Sequence, residues 1–339
     1  MKPSVVQGCL LGGALGDALG YPVEFESNAD AIAARLPALR PRLISDDTQM
    51  TLFTVEAIVQ ARAAGVDQGW SASALGAYQR WYATQAMRPP DTAPPAARSE
   101  SWLLREPRLH ARRAPGNTCL SALARSFLVA ERPTVESPPN HSKGCGAVMR
   151  SAPFGLAAAT REQAFTEARD AGVLTHGHPS GYLSAALFAA VIHDVARGTP
   201  LRDAIHLGLE CAAREPGHEE VRDVILLALA TADAGPIGPA ALEQLGGGWV
   251  GEEALAIGLA CALRVPEGTP QHVALALSQS VTHAGDSDST GSIAGNLLGA
   301  MFGREALPTE WLASLELVDV VERLSAELVA AITAEPSPR

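Results

Sequence analysis

Glycine recurs at intervals of four near both ends of this chain: Gly8, Gly12, Gly16 and Gly20, then Gly291, Gly295, Gly299 and Gly303. Residues four apart on an α-helix share one face, so each segment presents a ridge without side chains. An interior glycine is less favourable than alanine by ~0.5–1 kcal/mol, and several in register call for a compensating contact. Two readings stand open. Each ridge serves ordinary tight helix packing, or the two helices pack on each other at the centre of the molecule and bring the chain's ends together. The membrane use of such ridges fails, because neither segment is a long enough apolar span.

The remaining pattern is helical. Alanine and leucine dominate, and β-branched alternation is scarce. Thr160-Arg161-Glu162-Gln163 is a capping box that opens a helix towards Gly172. Pro179 occupies the first turn before Tyr182 to Val195, with Gly198 as the stop. Thr199-Pro200 opens the next helix, and Pro308 opens a last one predicted to reach about Thr333. About ten such segments can be drawn, and none reads convincingly as a strand. The expected fold class is all-α: a single compact orthogonal multi-helix domain over residues 1–339. Arg88 to Glu100 and Glu131 to Lys143 are rich in Pro and small or polar residues and read as surface loops, candidate rims of a site.

Composition narrows the function. The formal net charge is −11 and no Lys/Arg block is present, so the footprint of a nucleic-acid binder is absent. An anionic ligand would need a local device: metal ions, helix N-termini or a few placed arginines. The five cysteines are widely spaced without a CxxC, which argues against a disulfide framework and structural zinc and fits a reducing cytosol. Gly8-Cys9 faintly resembles a lipoprotein cleavage site, but the apolar run before it is too short and Asp17 interrupts the run after it. The sequence reads as that of a soluble, cytoplasmic monomer with no membrane span.

Two acidic corners carry the chemistry. Ser45-Asp46-Asp47-Thr48 precedes a helix expected from about Gln49 to Ala64, stopped by Gly65. Asp286-Ser287-Asp288-Ser289-Thr290-Gly291 precedes the second glycine ridge. Helix capping accounts for one such residue at each start, and less well for two neighbouring acids with hydroxyls. If the ends meet, four carboxylates converge. Their repulsion then calls for protons or cations. An all-oxygen set suits Mg²⁺ or Mn²⁺, and four carboxylates balance two divalent ions.

Lookalike motifs fall on inspection. Asp286-x-Asp288-x-Thr290-Gly291 mimics an EF-hand start, but the twelfth position is Leu297, not a bidentate Glu. The same residues mimic a DxDxT phosphatase motif, which should follow an apolar strand; Ser278 to Gly285 is polar. Gly246-x-Gly248-x-x-Gly251 matches a dinucleotide fingerprint in form, but Ala241 to Leu245 is not a strand.

Taken together, five segments resemble the ADP-ribosylglycohydrolase family. They are Gly12 to Gly20 with Glu24, Ser45 to Thr48, Gly144-Cys145-Gly146-Ala147-Val148-Met149-Arg150, Thr175-His176, and Gly285 to Gly291, in family order over nearly the whole chain. The resemblance implies an all-α domain with two Mg²⁺ (or Mn²⁺) ions in a central dinuclear cleft. It implies as ligands Ser45, Asp46, Asp47, Asp286, Asp288 and Ser289, with Ser where many members have Thr. Glu24 matches a family acid near the metals that gates or handles the attacking water, and Asp47 and Asp288 join it as candidate catalytic groups. Gly144, Cys145, Gly146, Ala147, Met149 and His176 are implied to line the ADP-ribose groove. Consecutive small residues also expose backbone N–H groups to phosphate. Relatives often carry Asn at the position of Cys145, and the family chemistry needs no nucleophilic cysteine. Asp17 is open between an outer-shell metal partner and an acid satisfied by backbone groups. Near Thr118, Ser121 stands where nitrogenase-regulating members carry Asp, which weakens an arginine acceptor.

The implied reaction is metal-dependent hydrolysis of the ribose C1″ glycosidic bond in ADP-ribosylated protein side chains or small ADP-ribose conjugates, releasing ADP-ribose. The alternatives are a dinuclear nucleotide phosphoesterase on the same acids and a non-catalytic, crystallin-like ADP-ribose binder.

Overall fold

The computed structural model describes residues 1–85, 101–129 and 131–334. The loop expected over residues 88–100 lies outside them. Helices α1 (Pro3–Gly20), α2 (Ala29–Arg35), α3 (Asp46–Ala63) and α4 (Ser71–Thr84) come first. After α5 (Asn117–Ser126) come α6 (Ala152–Ala157), α7 (Arg161–Gly172) and α8 (Pro179–Val195). Next are α9 (Leu201–Ala212), α10 (Glu219–Ala234), α11 (Pro239–Leu242) and α12 (Gly251–Leu263). The described chain closes with α13 (Pro270–Ser280), α14 (Ser287–Phe302), α15 (Thr309–Ser314) and α16 (Val318–Thr333). Among the described residues there is no strand, only one isolated bridge between Gly144 and Val250. The all-α reading holds.

Helix boundaries reflect local chemistry. Asn28 caps α2 by accepting from the Asp30 and Ala31 amides. Thr160 caps α7 through the Gln163 amide, while the Gln163 side chain accepts from Ala159 N rather than from Thr160 itself. Two expectations need correction. The helix drawn from Pro308 to Thr333 is two helices, because Leu317 adopts a left-handed backbone (φ 62°) between them. The helix drawn from Gln49 begins at Asp46, since Ser45 is its N-cap and accepts from Asp47 N.

The two glycine ridges face each other. α1 and α14 form the most extensive helix pair in the molecule. Gly8 lies on the Gly299 carbonyl, Gly12 on Gly295, Gly16 on Gly291, and Gly20 on Ser287, in antiparallel order. The relation is reciprocal, with Gly291, Gly295 and Gly299 lying on the carbonyls of Gly16, Gly12 and Gly8. A Cβ on any of these would overlap the opposite backbone. Backbones this close gain dispersion and Cα–H···O contacts that side chains would prevent. Asn296 fixes the register by donating to Cys9 O at 2.8 Å. The second of the two readings of the ridges is therefore the one the fold adopts.

The rest of the core packs round this pair in one continuous buried cluster from Val6 to Leu328. Helix α1 also sets the start of α3. Asp17, fully buried on α1, accepts from Ser45 N at 2.9 Å and Thr48 N at 3.0 Å, and from the Thr48 hydroxyl. A carboxylate from one helix thus satisfies the free amides at the N-terminus of another.

Gly12→Ala is expected to lower unfolding stability by ~2 kcal/mol or more, through overpacking against Gly295. Gly238→Ala, with open space around it, loses only the N-cap preference of the short α11 and stays within ~1 kcal/mol. Chemical denaturation of the two variants checks this; equal stabilities would contradict a backbone-to-backbone contact.

Candidate active site

The zipper decides where the acidic corners go. At its end Gly20 meets Ser287, so the start of α14 sits beside the C-terminus of α1, and Asp17 holds the start of α3 against the same place. Ser289 and Asp47, 242 residues apart, come within 3.5 Å (Oγ to Oδ1). Asp46, Asp47, Asp286, Asp288, Ser289 and Glu24 line one cleft of about 340 Å³, within the size range of small-molecule sites. Among the described residues no lysine or arginine lines it. Asp46 and Asp47 lie in the first turn of α3, and Asp286 caps α14 by accepting from Ser289 N at 3.3 Å. Asp288 accepts from the same amide at 3.0 Å.

The cluster is charged and poorly neutralised from within. Burial pushes the Asp46, Asp47 and Asp288 carboxyls well above the usual carboxylate range, and neighbouring carboxylates push the same way. Burial, then the charge of Asp286, raises Glu24 to about 8. Burial raises Asp17 to about 6 against the pull of its hydrogen bonds to Thr48 and Ser45. Asp47 Oδ2 and Glu24 Oε2 are buried without a hydrogen-bond partner among the described residues. Orphaned carboxylate oxygens in a cluster of carboxylates with a serine hydroxyl fit hard divalent cations. Among the described residues no three His, Cys, Asp or Glu side chains form a closed coordination group; the carboxylates share the cleft without closing on one another.

The opposite wall is the glycine-rich turn. Gly144, Cys145, Gly146 and Met149 line the cleft with His176. A Cβ on Gly146 would press on the His176 ring at 3.0 Å and on Cys119 Sγ at 2.8 Å. Ala147 is buried behind this wall, and Ser45 is buried beneath Asp47 with its hydroxyl accepting from Asp47 N; neither lines the cleft. The Cys145 thiol donates to Asp286 Oδ2 at 2.9 Å, and burial together with the Asp286 charge holds it protonated. It is unsuited to act as a nucleophile.

His176 is held in one tautomer. Arg150, buried over the Tyr78 ring, can only donate, and donates to Thr175 Oγ1 at 2.6 Å. The Thr175 hydroxyl lies 2.8 Å from His176 Nδ1, which is the only acceptor for its proton among the described residues, and this assigns the hydroxyl as the donor. Nε2 therefore carries the hydrogen and faces Gly144 and Gly146. Burial, with the Arg150 charge beside it, lowers His176 to about 3, so the ring is a neutral donor at physiological pH.

Several lining residues escaped the sequence reading. Phe25 and Trp249 stack at the mouth, centroids 6.0 Å apart, and both are exposed. Trp249 belongs to the Gly246–Gly251 run with the dinucleotide-like spacing. There the glycines serve backbone packing: Gly285 lies on Gly247, and Asp286 N donates to Gly247 O at 2.8 Å. Ala114 to Thr118 form a further wall, with Gly116 N donating to Asp46 Oδ2 at 3.4 Å. The only sequence signal for that wall is the Gly116-Asn117-Thr118 string.

These carboxyls bind protons more tightly in the folded chain than in the unfolded one. Without divalent ions, stability rises as pH falls through about 8 (Glu24) and about 6 (Asp17), and levels off near ~4, where the unfolded carboxylates protonate. Cations compete with those protons. Mg²⁺ or Mn²⁺ is expected to raise Tm at pH 8 by several degrees and flatten its pH dependence; a Tm indifferent to both ions and to pH would contradict this account of the cluster.

Comparison with known proteins bears on the family and the fold. The chain is 24% identical to ADP-ribosylhydrolase ARH3 of Homo sapiens over 215 residues, 55% of this chain and 58% of that protein. It is 26% identical to ADP-ribosylhydrolase ARH3 of Danio rerio over 219 residues, 55% and 57% of the two chains. The matches thus span little more than half the length of these relatives. A solved structure described as an ADP-ribosylglycohydrolase-related protein complex superposes with a TM-score of 0.64 at 22% identity, covering 98% of this chain and 99% of that one; it shows the shared fold. The sequence profile of the ADP-ribosylglycohydrolases matches residues 3–337, so the chain belongs to the ADP-ribosylglycohydrolase family.

Proposed function

We propose that the chain hydrolyses the bond between ribose C1″ and the acceptor atom of an ADP-ribose conjugate, with two divalent cations held by Asp46, Asp47, Asp286 and Asp288. The observation that carries this is one cleft lined by four carboxylates from distant parts of the chain, with Glu24 beside them and, among the described residues, no lysine or arginine. Of the two serines in the implied ligand set, Ser289 lines the cleft, and Ser45 supports Asp47 from beneath by accepting from its amide. When bound, magnesium or manganese supplies charge balance, polarises ribose hydroxyls and lowers the pKa of a water.

The chain's own groups supply the rest. The Gly144–Gly146 turn offers backbone amides to the diphosphate, and Met149 packs under it. His176 presents Nε2–H as a neutral donor. Asp47 or Asp288 accepts the proton of the attacking water, and Glu24, with its raised pKa, is matched to proton exchange near neutrality. The water oxygen bonds to C1″, the bond from C1″ to the acceptor breaks, and the acceptor leaves with a proton. Cytosolic action belongs to this reading, supported by five free thiols.

Asp288→Ala is expected to cut the release of ADP-ribose by ~10²-fold or more, and a chelator to abolish it in the native protein. Retained turnover in both cases would overturn the metal-dependent reading, and release of AMP instead of ADP-ribose would favour a phosphoesterase. Thr175→Val removes the proton that fixes the His176 tautomer. It should weaken ADP-ribose binding ~5–10-fold, the loss of one hydrogen bond, without changing Mn²⁺ affinity; calorimetry with each ligand separates the two.

A further inference from the structure

A second cavity adjoins the cleft. It holds about 730 Å³ and is lined by Tyr21, Leu39, Leu43, Arg40 and Arg42, and it shares Phe25 and Ala114 with the cleft. Ala114, a non-glycine residue at φ 50°, therefore forms part of the wall between the two spaces. Such a backbone is costly unless its surroundings fix it. Here Asp46 N donates to Arg113 O at 3.1 Å, and Arg113 binds Ile44 O and Glu316. Nothing in the proposed reaction uses this groove.

Its position gives it a direction. The glycine turn and His176 form one side of the cleft, the carboxylates its floor, and Glu24 with Phe25 the side towards the groove. A conjugate with its diphosphate on the glycine turn and C1″ over the carboxylates sends its acceptor past Phe25. The groove's chemistry contrasts with the cleft. Residues 31–45 carry Arg35, Arg40 and Arg42 and no acid, in a chain of net charge −11. Arg40 Nη1 donates to the Pro37 and Leu39 carbonyls, and neither Arg40 nor Arg42 makes an ion pair among the described residues. Between the arginines the surface is apolar, with Leu43 51% and Phe25 74% exposed.

Resting on the hydrolase reading, we propose that this groove binds the acceptor protein: a peptide segment beside the ADP-ribosylated residue that carries leucine-like and acidic side chains. Unpaired guanidinium groups attract carboxylates, the exposed Leu43 and Phe25 accept an apolar neighbour, and a basic flank meets repulsion from Arg40 and Arg42. The groove selects among acceptors; it takes no part in bond breaking.

The test uses two peptides ADP-ribosylated at the same residue, one flanked by Asp and Leu, the other by Lys and Ser. Native protein and the Arg40→Glu/Arg42→Glu variant are compared. The acidic peptide should show a KM about tenfold lower than the basic one, as expected for two partly exposed ion pairs. The double variant should invert that order with kcat unchanged, and Arg42→Glu alone should shift KM less in the same direction. Free ADP-ribose should bind native and variant proteins equally, which also reports an intact cleft. Equal KM for the two peptides in native protein, or a preference unmoved by the variants, overturns the proposal. An ADP-ribosylated oligonucleotide that outcompetes the acidic peptide in an arginine-dependent way assigns the groove to nucleic acid and overturns it too. Fluorescence anisotropy of both peptides in chelator gives the same ranking without turnover, so a failed hydrolase reading and a failed groove assignment produce different results.

Discussion

The backbone contact between α1 and α14 is the constraint on which the structure depends. Gly8, Gly12, Gly16 and Gly20 on one helix and Gly291, Gly295 and Gly299 on the other leave the facing ridges without side chains, so each helix rests on the other's carbonyls. Such a contact has little play, since along the glycine ridges backbone meets backbone directly and Asn296 locks the register beside them. It therefore transmits position: wherever α1 ends, the start of α14 is fixed beside it. Asp17 extends the constraint to a third helix by accepting the Ser45 and Thr48 amides. One rigid pair and one buried carboxylate thus deliver Asp46, Asp47, Asp286 and Asp288 to a common cleft.

The arrangement costs stability at the place where the chemistry is proposed. Buried carboxylates repel one another, and Asp47 and Glu24 each keep an oxygen without a hydrogen-bond partner among the described residues. Protons or divalent cations relieve that charge, and the packed zipper beneath holds the groups in place until they do. Charge is also separated across the site. The floor is acidic, the His176 side is neutral through the Arg150–Thr175 relay, and the outer groove is basic at Arg40 and Arg42. Such a gradient suits a ligand that places its ribose hydroxyls over the acids and its anionic parts elsewhere.

Much of this is legible in the sequence, for a physical reason. Glycine at period four is costly in a helix unless something approaches closely, so the ridges report a tertiary contact through a local signal. Paired acids with hydroxyls at a helix start exceed capping needs and report a site in the same way. The hidden features are those set by partners distant in sequence. Arg150 and Thr175 fix the His176 tautomer only because both are buried together. Trp249 reaches the mouth only because the Gly246–Gly251 run packs under Asp286, a role its dinucleotide-like spacing obscures. Ser45 and Ala147 sit beneath the surface of the cleft, and a motif cannot say which of its residues faces inward. The break at Leu317 rests on a left-handed leucine that no residue preference announces.

The most direct test is anomalous diffraction from crystals grown in excess MnCl₂. Manganese density is expected in the cleft, bonded to carboxylate oxygens from both acidic corners, Asp46 or Asp47 together with Asp286 or Asp288. Density bound by one corner alone, or an ion-free cleft under those conditions, would contradict that expectation.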